Sequence, residues 1–434
     1  MNNNTRTFYA LWTSPDKMRN LIPHQCMGTL CYNNCKDITL TLMIPPSQGV
    51  ISTCYKHYDV LFGKDANGVR YTLFDLNTIE EPIYDCNFSK HEYKVRFILI
   101  GEHILSLDTE IFDRCVVQFP RLIDWAYKSR ITKLNEPNNV MEYRVSRTKD
   151  PILEIDIDGD IKYILNPRCL LDNRGNFLGV TLKQFTELII ESNCKKTIRD
   201  LINSIVEFNN LFSIVLFSEQ APSSIEFYIS NDKYRRFELL FKNSKIDNTH
   251  GTPLIKFEQF KDKIPSMFKK WHENYKQIFP ICNHLITAIQ KDGEFDDSNF
   301  LIIAQALDGY FKRFVNKKDG KDIRKYNEQI EKLLKHFKGV LLLEKCNLDA
   351  EILTHSRHKY SHLIPDDETK NVEKAVDGED LYYLTKKCIV LLTCCILDNL
   401  GLTVEEINIC FENSVVEKIV NDIPFWYLEK RKKK

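Results

Sequence analysis

The chain has no surplus of either charge: Lys+Arg and Asp+Glu each total 60 in 434 residues. No overall field draws it toward nucleic acid, so any such binding must rest on a local patch. Long apolar runs are missing too. The longest, CIVLLTCCIL, is ten residues from Cys388 to Leu397, flanked by Lys386, Lys387 and Asp398. That is about half of the roughly 20 needed to span a bilayer, so a buried core helix is expected there and no membrane association. The patterns G-x-x-x-x-G-K-[ST], G-x-G-x-x-G and G-x-S-x-G are all absent, which leaves nucleotide hydrolysis, dinucleotide chemistry and a hydrolase elbow without support. There is no internal repeat and no low-complexity linker. The stretch MNNNTRTFYALW has neither the flank and apolar core of a secretory signal nor the Arg-rich, acid-poor look of a transit peptide; a cytoplasmic protein is expected.

What is present suits a globular protein. Hydrophobic residues make up 43% and charged residues 28%, and the length exceeds one usual core, so two domains are expected. Fourteen cysteines in such a chain, several on strongly apolar faces, fit reduced core thiols better than a disulfide framework. Up to about residue 262 the sequence has strand character, in ITLTLMI (38–44), VRYTLFDL (69–76), YKVRFILIGEHIL (93–105), CVVQFP (115–120) and ILEIDIDGDIKYIL (152–165). GKDANG before VRYTLF supplies turn chemistry. LKQFTELIIESN and residues 195–208 have helical spacing. From about 263 to 434 the period is helical throughout. FLIIAQALDGYFKRFV puts Phe300, Ile303, Leu307, Phe311 and Phe314 on one stripe, predicting a helix over 297–315. Others are predicted over 265–290, 322–345 and 378–400, the last stopped by Gly401. The expected fold is α+β: a β-rich, mostly antiparallel domain over 1–262, then an α-helical bundle of four or five helices over 263–434.

The segment HSRHKYSHL, from His355 to Leu363, holds three of the eleven histidines. On a helix His355, His358 and His362 fall at i, i+3 and i+7, along one stripe. Such a stripe can ligate a transition metal. Arg357 and His362 can instead act on a phosphodiester, the guanidinium gripping non-bridging oxygens while the imidazole moves protons near neutral pH. RNA carries its own nucleophile for that chemistry, since a ribose 2′-OH attacks the adjacent phosphorus once deprotonated. The planar fork of arginine suits the charge that builds on phosphorus better than lysine does. An ordinary solvated helix end has the same spacing, so spacing leaves the three readings open.

The ordered segments FLIIAQALDGYFKRF, THSRHKYSHL and GEDLYYLTKKCIVLLTCCILDNLGL resemble the ApeA-like branch of the HEPN superfamily. Arg357, His358 and His362 match its R-x4-6-H ribonuclease motif. In the first half, ALWTSPD, GKDANGVRYTLFD, ILIGEHI and FPRLIDW resemble the N-terminal domain that accompanies this module. The resemblance implies an antiphage defence protein that cleaves RNA without a metal. It also implies two HEPN domains pairing as a homodimer around one cleft, with a phage-derived trigger. Arg357 would then hold the scissile phosphate, His362 would be the general acid or base, and His358 would assist. His355, just before the Arg, is a competing imidazole, and Tyr360 in the gap is expected to pack inward. A structured loop such as a tRNA anticodon is a substrate whose unpaired bases can be splayed for attack. The alternative class is a HEPN module that binds nucleotide or RNA without cutting it.

Other residues have both a functional and a plain reading. Asp308 is placed to fix Arg357 or a histidine tautomer, or else is a partly exposed helix acid. Between Phe311 and Lys338 ten Lys+Arg stand against four acids. Lys312, Arg313, Lys317 and Lys318 head this patch, which would attract an RNA backbone or be a solvated face. The basic tail KRKKK (430–434) has the same two readings. Cys26, Cys31, Cys35, Cys54 and His57 have looser spacing than zinc knuckles, and no metal is assigned to them.

Overall fold

Alternation through ITLTLMI places Ile38, Leu40, Leu42 and Ile44 on one face, and in a computed structural model of the chain all four line the inside of a barrel. The structure describes residues 5–15, 26–33, 36–45, 57–84, 88–135, 141–146, 150–172, 181–230, 235–242, 251–290, 297–316, 323–365 and 372–424. The barrel strands are β1 (Thr5–Thr13), β2 (Cys26–Asn33), β3 (Ile38–Ile44), β4 (His57–Lys64), β5 (Arg70–Thr78) and β7 (Ser89–Ile100), with the short β6 (Ile83–Tyr84) beside β7. Every neighbouring pair is antiparallel, and the ring closes in the order β7-β3-β2-β1-β4-β5-β7. Closure removes the free edges that an open sheet would expose. Trp12, Leu40, Leu61, Leu73, Tyr93 and Ile98 fill the interior. Gly63 faces the flat of the Trp12 ring, where a Cβ would overlap it.

The far end of β7, Phe97–Ile100, keeps β5 on one edge and, past the end of β3, takes β15 (Arg235–Phe241) on the other. From there the same antiparallel sheet continues through β14 (Ser224–Ile229), β8 (Phe112–Gln118), β13 (Thr181–Lys196) and β12 (Ile161–Asp172) to β11 (Leu153–Ile157). A separate hairpin joins β9 (Ile131–Asn135) to β10 (Met141–Val145), and a single turn of helix, α1, covers Leu122–Trp125. In the β11–β12 hairpin Asp158 and Gly159 take φ of 51° and 72°, as a tight two-strand turn requires.

The helix expected over LKQFTELIIESN is instead part of strand β13. Residues 186–190 are buried in unbroken succession, so both faces of the strand are covered. Burial on both faces erases the alternation that distinguishes strand from helix in sequence. The second helical stretch starts later than its spacing suggests, as α2 (Ile198–Leu216).

The helical half contains α3 (Phe257–Phe260), α4 (Ile264–Gln290), α5 (Asp297–Tyr310), a π-helical turn (Phe311–Val315), α6 (Tyr326–His336), α7 (Leu341–Cys346), α8 (Ala350–His362), α9 (Gly378–Asn399), α10 (Val404–Phe411) and α11 (Val415–Asn421). The predicted helix over 322–345 is two helices, because Gly339 at φ 97° breaks it. Gly401, at φ 87°, ends α9 and donates to the Asp398 carbonyl. Thr403 and Glu406 form a capping box that starts α10. Helices α4, α5 and α9 pack on one another, and α8 packs against α5 and α6. Among the described residues no helix is long and apolar enough to cross a membrane.

The chain divides into two compact units, Met1–Val206 with Ala221–Ile246, and Glu207–Gln220 with Asp247–Lys434. The end of α2 thus packs with the helices. Phe208 stacks near Phe268, and Trp271 donates from Nε1 to the Glu207 carbonyl at 3.1 Å.

Candidate functional site

HSRHKYSHL lies at the C-terminal end of α8. Asp349 starts this helix, its carboxylate accepting from the Glu351 and Ile352 amides at 2.9 and 3.1 Å. Leu353 and Ser356 are fully buried and anchor its inner face. The helix stops at Leu363, which adopts φ 49° and is 85% exposed. The last turn, with His362, therefore opens to solvent.

Arg357 is held from two sides. One terminal nitrogen donates to Asp308 Oδ2 of α5 at 3.4 Å, and the guanidinium lies over the Tyr326 ring, 4.4 Å from its centroid. Asp308 is itself shared, since Lys312 donates to the same oxygen at 2.8 Å. Tyr326, the first residue of α6, is buried, and its hydroxyl donates to the Ala304 carbonyl of α5 at 3.0 Å. Burial pushes that hydroxyl well above the usual tyrosine range, so it stays protonated. The Arg357 side chain is 35% exposed, and Asp308 is its one hydrogen-bond partner among the described residues. Of its five N–H donors, most have no acceptor among the described residues.

His358 and His362, one helical turn apart, pack ring against ring at 4.7 Å and 61°. His355 does a different job. Its Nδ1 accepts the Lys374 amide at 3.1 Å, and Glu373 lies 3.5 Å away. An accepting Nδ1 puts the proton of the neutral ring on Nε2. Tyr360 packs inward on Phe300 and donates to Asp377 at 2.6 Å, beside Lys359 at 2.7 Å. Those two donors hold the Asp377 carboxyl below the usual range. Ser356 accepts the Val376 amide at 3.1 Å. His355, Ser356, Lys359 and Tyr360 thus tie residues 374–377 to α8.

Some of the expected residues meet and others do not. Asp308 joins Arg357, and His358 joins His362. At about 100° per residue around the axis, His362 lies about 140° from Arg357. No hydrogen bond or ring contact joins the two among the described residues. In the basic patch Lys312 is occupied by Asp308, and Arg313 donates to the Gln277 carbonyl at 2.6 Å. Lys317, Lys318 and the KRKKK tail lie outside the described residues. Sequence reasoning missed Tyr326 and Ser356. Tyr326 shares an apolar phase with Ile330, Leu333 and Phe337, which signals an inward ring, but its pairing with a residue 31 places away leaves no local trace.

The cysteine grouping does not form among the described residues. Cys26 and Cys31 are five apart on β2, so strand geometry sends them to opposite faces: Cys26 is buried in the barrel and Cys31 exposed. His57 hydrogen-bonds Asn77 and Asp59. Cys35 and Cys54 lie outside the described residues. No group of three or more His, Cys, Asp or Glu able to hold a metal occurs among the described residues.

A barrel-bearing antiparallel β region followed by a helical region that carries the Arg–His helix defines a protein of α+β class. The family model for ApeA N-terminal domain 1 matches residues 8–271, and that for Apea-like HEPN matches residues 301–406, which include Asp308, Tyr326, Arg357, His358 and His362. The chain belongs to the ApeA-like HEPN family of antiphage defence proteins, whose HEPN domains are generally associated with ribonucleases. No curated protein and no solved structure matches it.

Proposed function

We propose that this chain is a metal-independent endoribonuclease of antiphage defence, working as a homodimer in the cytoplasm. The observation that carries the reading is Arg357, held by Asp308 and Tyr326 yet with most of its donors unclaimed among the described residues, on the helix whose exposed end bears His358 and His362. Arg357 binds the non-bridging oxygens of the scissile phosphate and stabilises the charge that develops there. His362 takes the proton of the ribose 2′-OH or returns one to the 5′-oxygen leaving group, and His358 orients its ring. The products are a 2′,3′-cyclic phosphate and a free 5′-OH. Because Arg357 and His362 diverge around α8, the reading needs a second copy whose helix completes the cleft. An unpaired loop such as a tRNA anticodon is a fitting substrate. The β-rich half, taken as residues 1–262, is the part that answers a phage-derived signal, and residues 263–434 carry the cleavage.

Purified protein incubated with labelled RNA in excess chelator tests this. Cyclic phosphate ends, lost in Arg357→Ala and His362→Ala, are expected. RNA binding that survives both changes, with no cleavage by the parent protein, would favour a non-catalytic binding module. Activity lost in chelator and restored by zinc would return the histidines to metal ligation.

A further inference from the structure

Resting on that reading, we infer that Tyr326 is a positioning residue for Arg357: the negative face of its ring is the platform that holds the guanidinium plane square to the substrate phosphate. Three observations converge on this. The ring centroid lies 4.4 Å from the Arg357 Cζ, within the range of a cation–π contact. The ring itself has no freedom to tilt, since it is buried and its hydroxyl is tied to the Ala304 carbonyl on α5 at 3.0 Å. Among the described residues the other restraint on Arg357 is weak, a single 3.4 Å hydrogen bond to an oxygen that Lys312 engages at 2.8 Å.

Asp308 alone would let the guanidinium plane swing about a single hydrogen bond. A planar fork delivers two parallel hydrogen bonds only when its plane is fixed. The ring fixes the plane, and Asp308 fixes the direction within it. Tyr326 touches neither substrate nor the reacting atoms in this arrangement, so it acts through Arg357.

The test separates the electrostatics of the ring from its bulk. Phenylalanine at position 326 keeps the face and drops the hydroxyl; pentafluorophenylalanine, introduced by an expanded code, keeps the shape and reverses the sign of the face. Tyr326→Phe is expected to cleave RNA within about threefold of the parent. The pentafluoro variant is expected to lose roughly tenfold in kcat at little change in KM, the size of a partly desolvated cation–π contact. Both should unfold at temperatures close to one another. Equal kcat in the two variants would overturn the inference, as would a loss that follows melting temperature instead of fluorination. A readout independent of cleavage keeps this apart from the ribonuclease reading. The Arg357 Nε–Hε resonance, assigned by its disappearance in Arg357→Lys, should be shifted upfield by the ring in the parent protein and in Tyr326→Phe. It should return to the ordinary arginine position in Tyr326→Leu. If the parent cuts no RNA and that pattern holds, the platform stands and the ribonuclease reading alone fails. A resonance that Tyr326→Leu does not move overturns the platform.

Discussion

Replacing Arg357 by alanine should separate stability from chemistry, and the structure allows both effects to be sized. The ion pair with Asp308 is long, at 3.4 Å, and the side chain is 35% exposed, so solvent screening leaves it worth only about 0.5 kcal/mol. Stacking on Tyr326 contributes about another 0.5–1 kcal/mol at a partly exposed site. A total near 1 kcal/mol should lower the melting temperature of a unit of this size by roughly 2–4 °C. The proposed role in cleavage is far larger, because removing one donor from a developing oxyanion costs about 100- to 1,000-fold in kcat. Arg357→Lys keeps the charge but loses the fork, and should recover only part of that rate. Single-turnover cleavage of a defined RNA in chelator, with a melting curve on the same sample, measures both. An alanine variant that cleaves within about threefold of the parent would refute the role. So would one whose activity is lost because the fold is lost.

The other expectations concern residues whose duties the structure divides. His362→Ala should abolish cleavage, whereas His355→Ala should lower the melting temperature and leave the cleavage rate of the folded fraction nearly unchanged, since His355 is engaged with the Lys374 amide. Comparing kcat for the two variants at a temperature where both are folded decides this. Asp377, held below its usual range by Lys359 and Tyr360, stabilises the fold above the unfolded carboxyl value and loses that contribution as pH falls through its lower folded value. Asp377→Asn should therefore be less stable than the parent at pH 7, with the difference closing toward pH 3 in urea titrations. In the barrel, Gly63→Ala would drive a methyl group into the Trp12 ring and should cost about 1–3 kcal/mol. The loss should show as a shifted Trp12 fluorescence transition, while the helical unit unfolds as before.

Much of the architecture was legible along the chain, because periodicity is a local property. ITLTLMI became β3 at its predicted bounds, and the 378–400 helix ended where Gly401 stopped it. Of the stripe through Phe300, Ile303, Leu307, Phe311 and Phe314, the first four are fully buried as their spacing requires, whereas Phe314, within the π-helical turn, is only half-buried. Local pattern failed where tertiary surroundings override it. The run around Leu188–Ile190 reads as helical only until neighbours cover both of its faces, and Gly339 divides what the apolar phase alone would continue. Closure of the barrel depends on β7 meeting β3 on one edge and β5 on the other, a choice among non-local pairings that no stretch of sequence encodes by itself.

The same division runs through the site. The sequence alone determined that an arginine and three histidines stand within eight residues, spaced to share one stripe if that segment is helical; the structure supplied the helix and its Asp349 cap. Only the packing of α5, α6 and α8 decided what each of them does. It set the Arg357 guanidinium between a carboxylate 49 residues back and a buried ring, assigned His355 and Tyr360 to tethering residues 374–377, and left His358 with His362 at the open end. A side chain's identity fixes the chemistry it can perform; its neighbours, drawn from distant parts of the chain, fix which of its donors remain free to perform it.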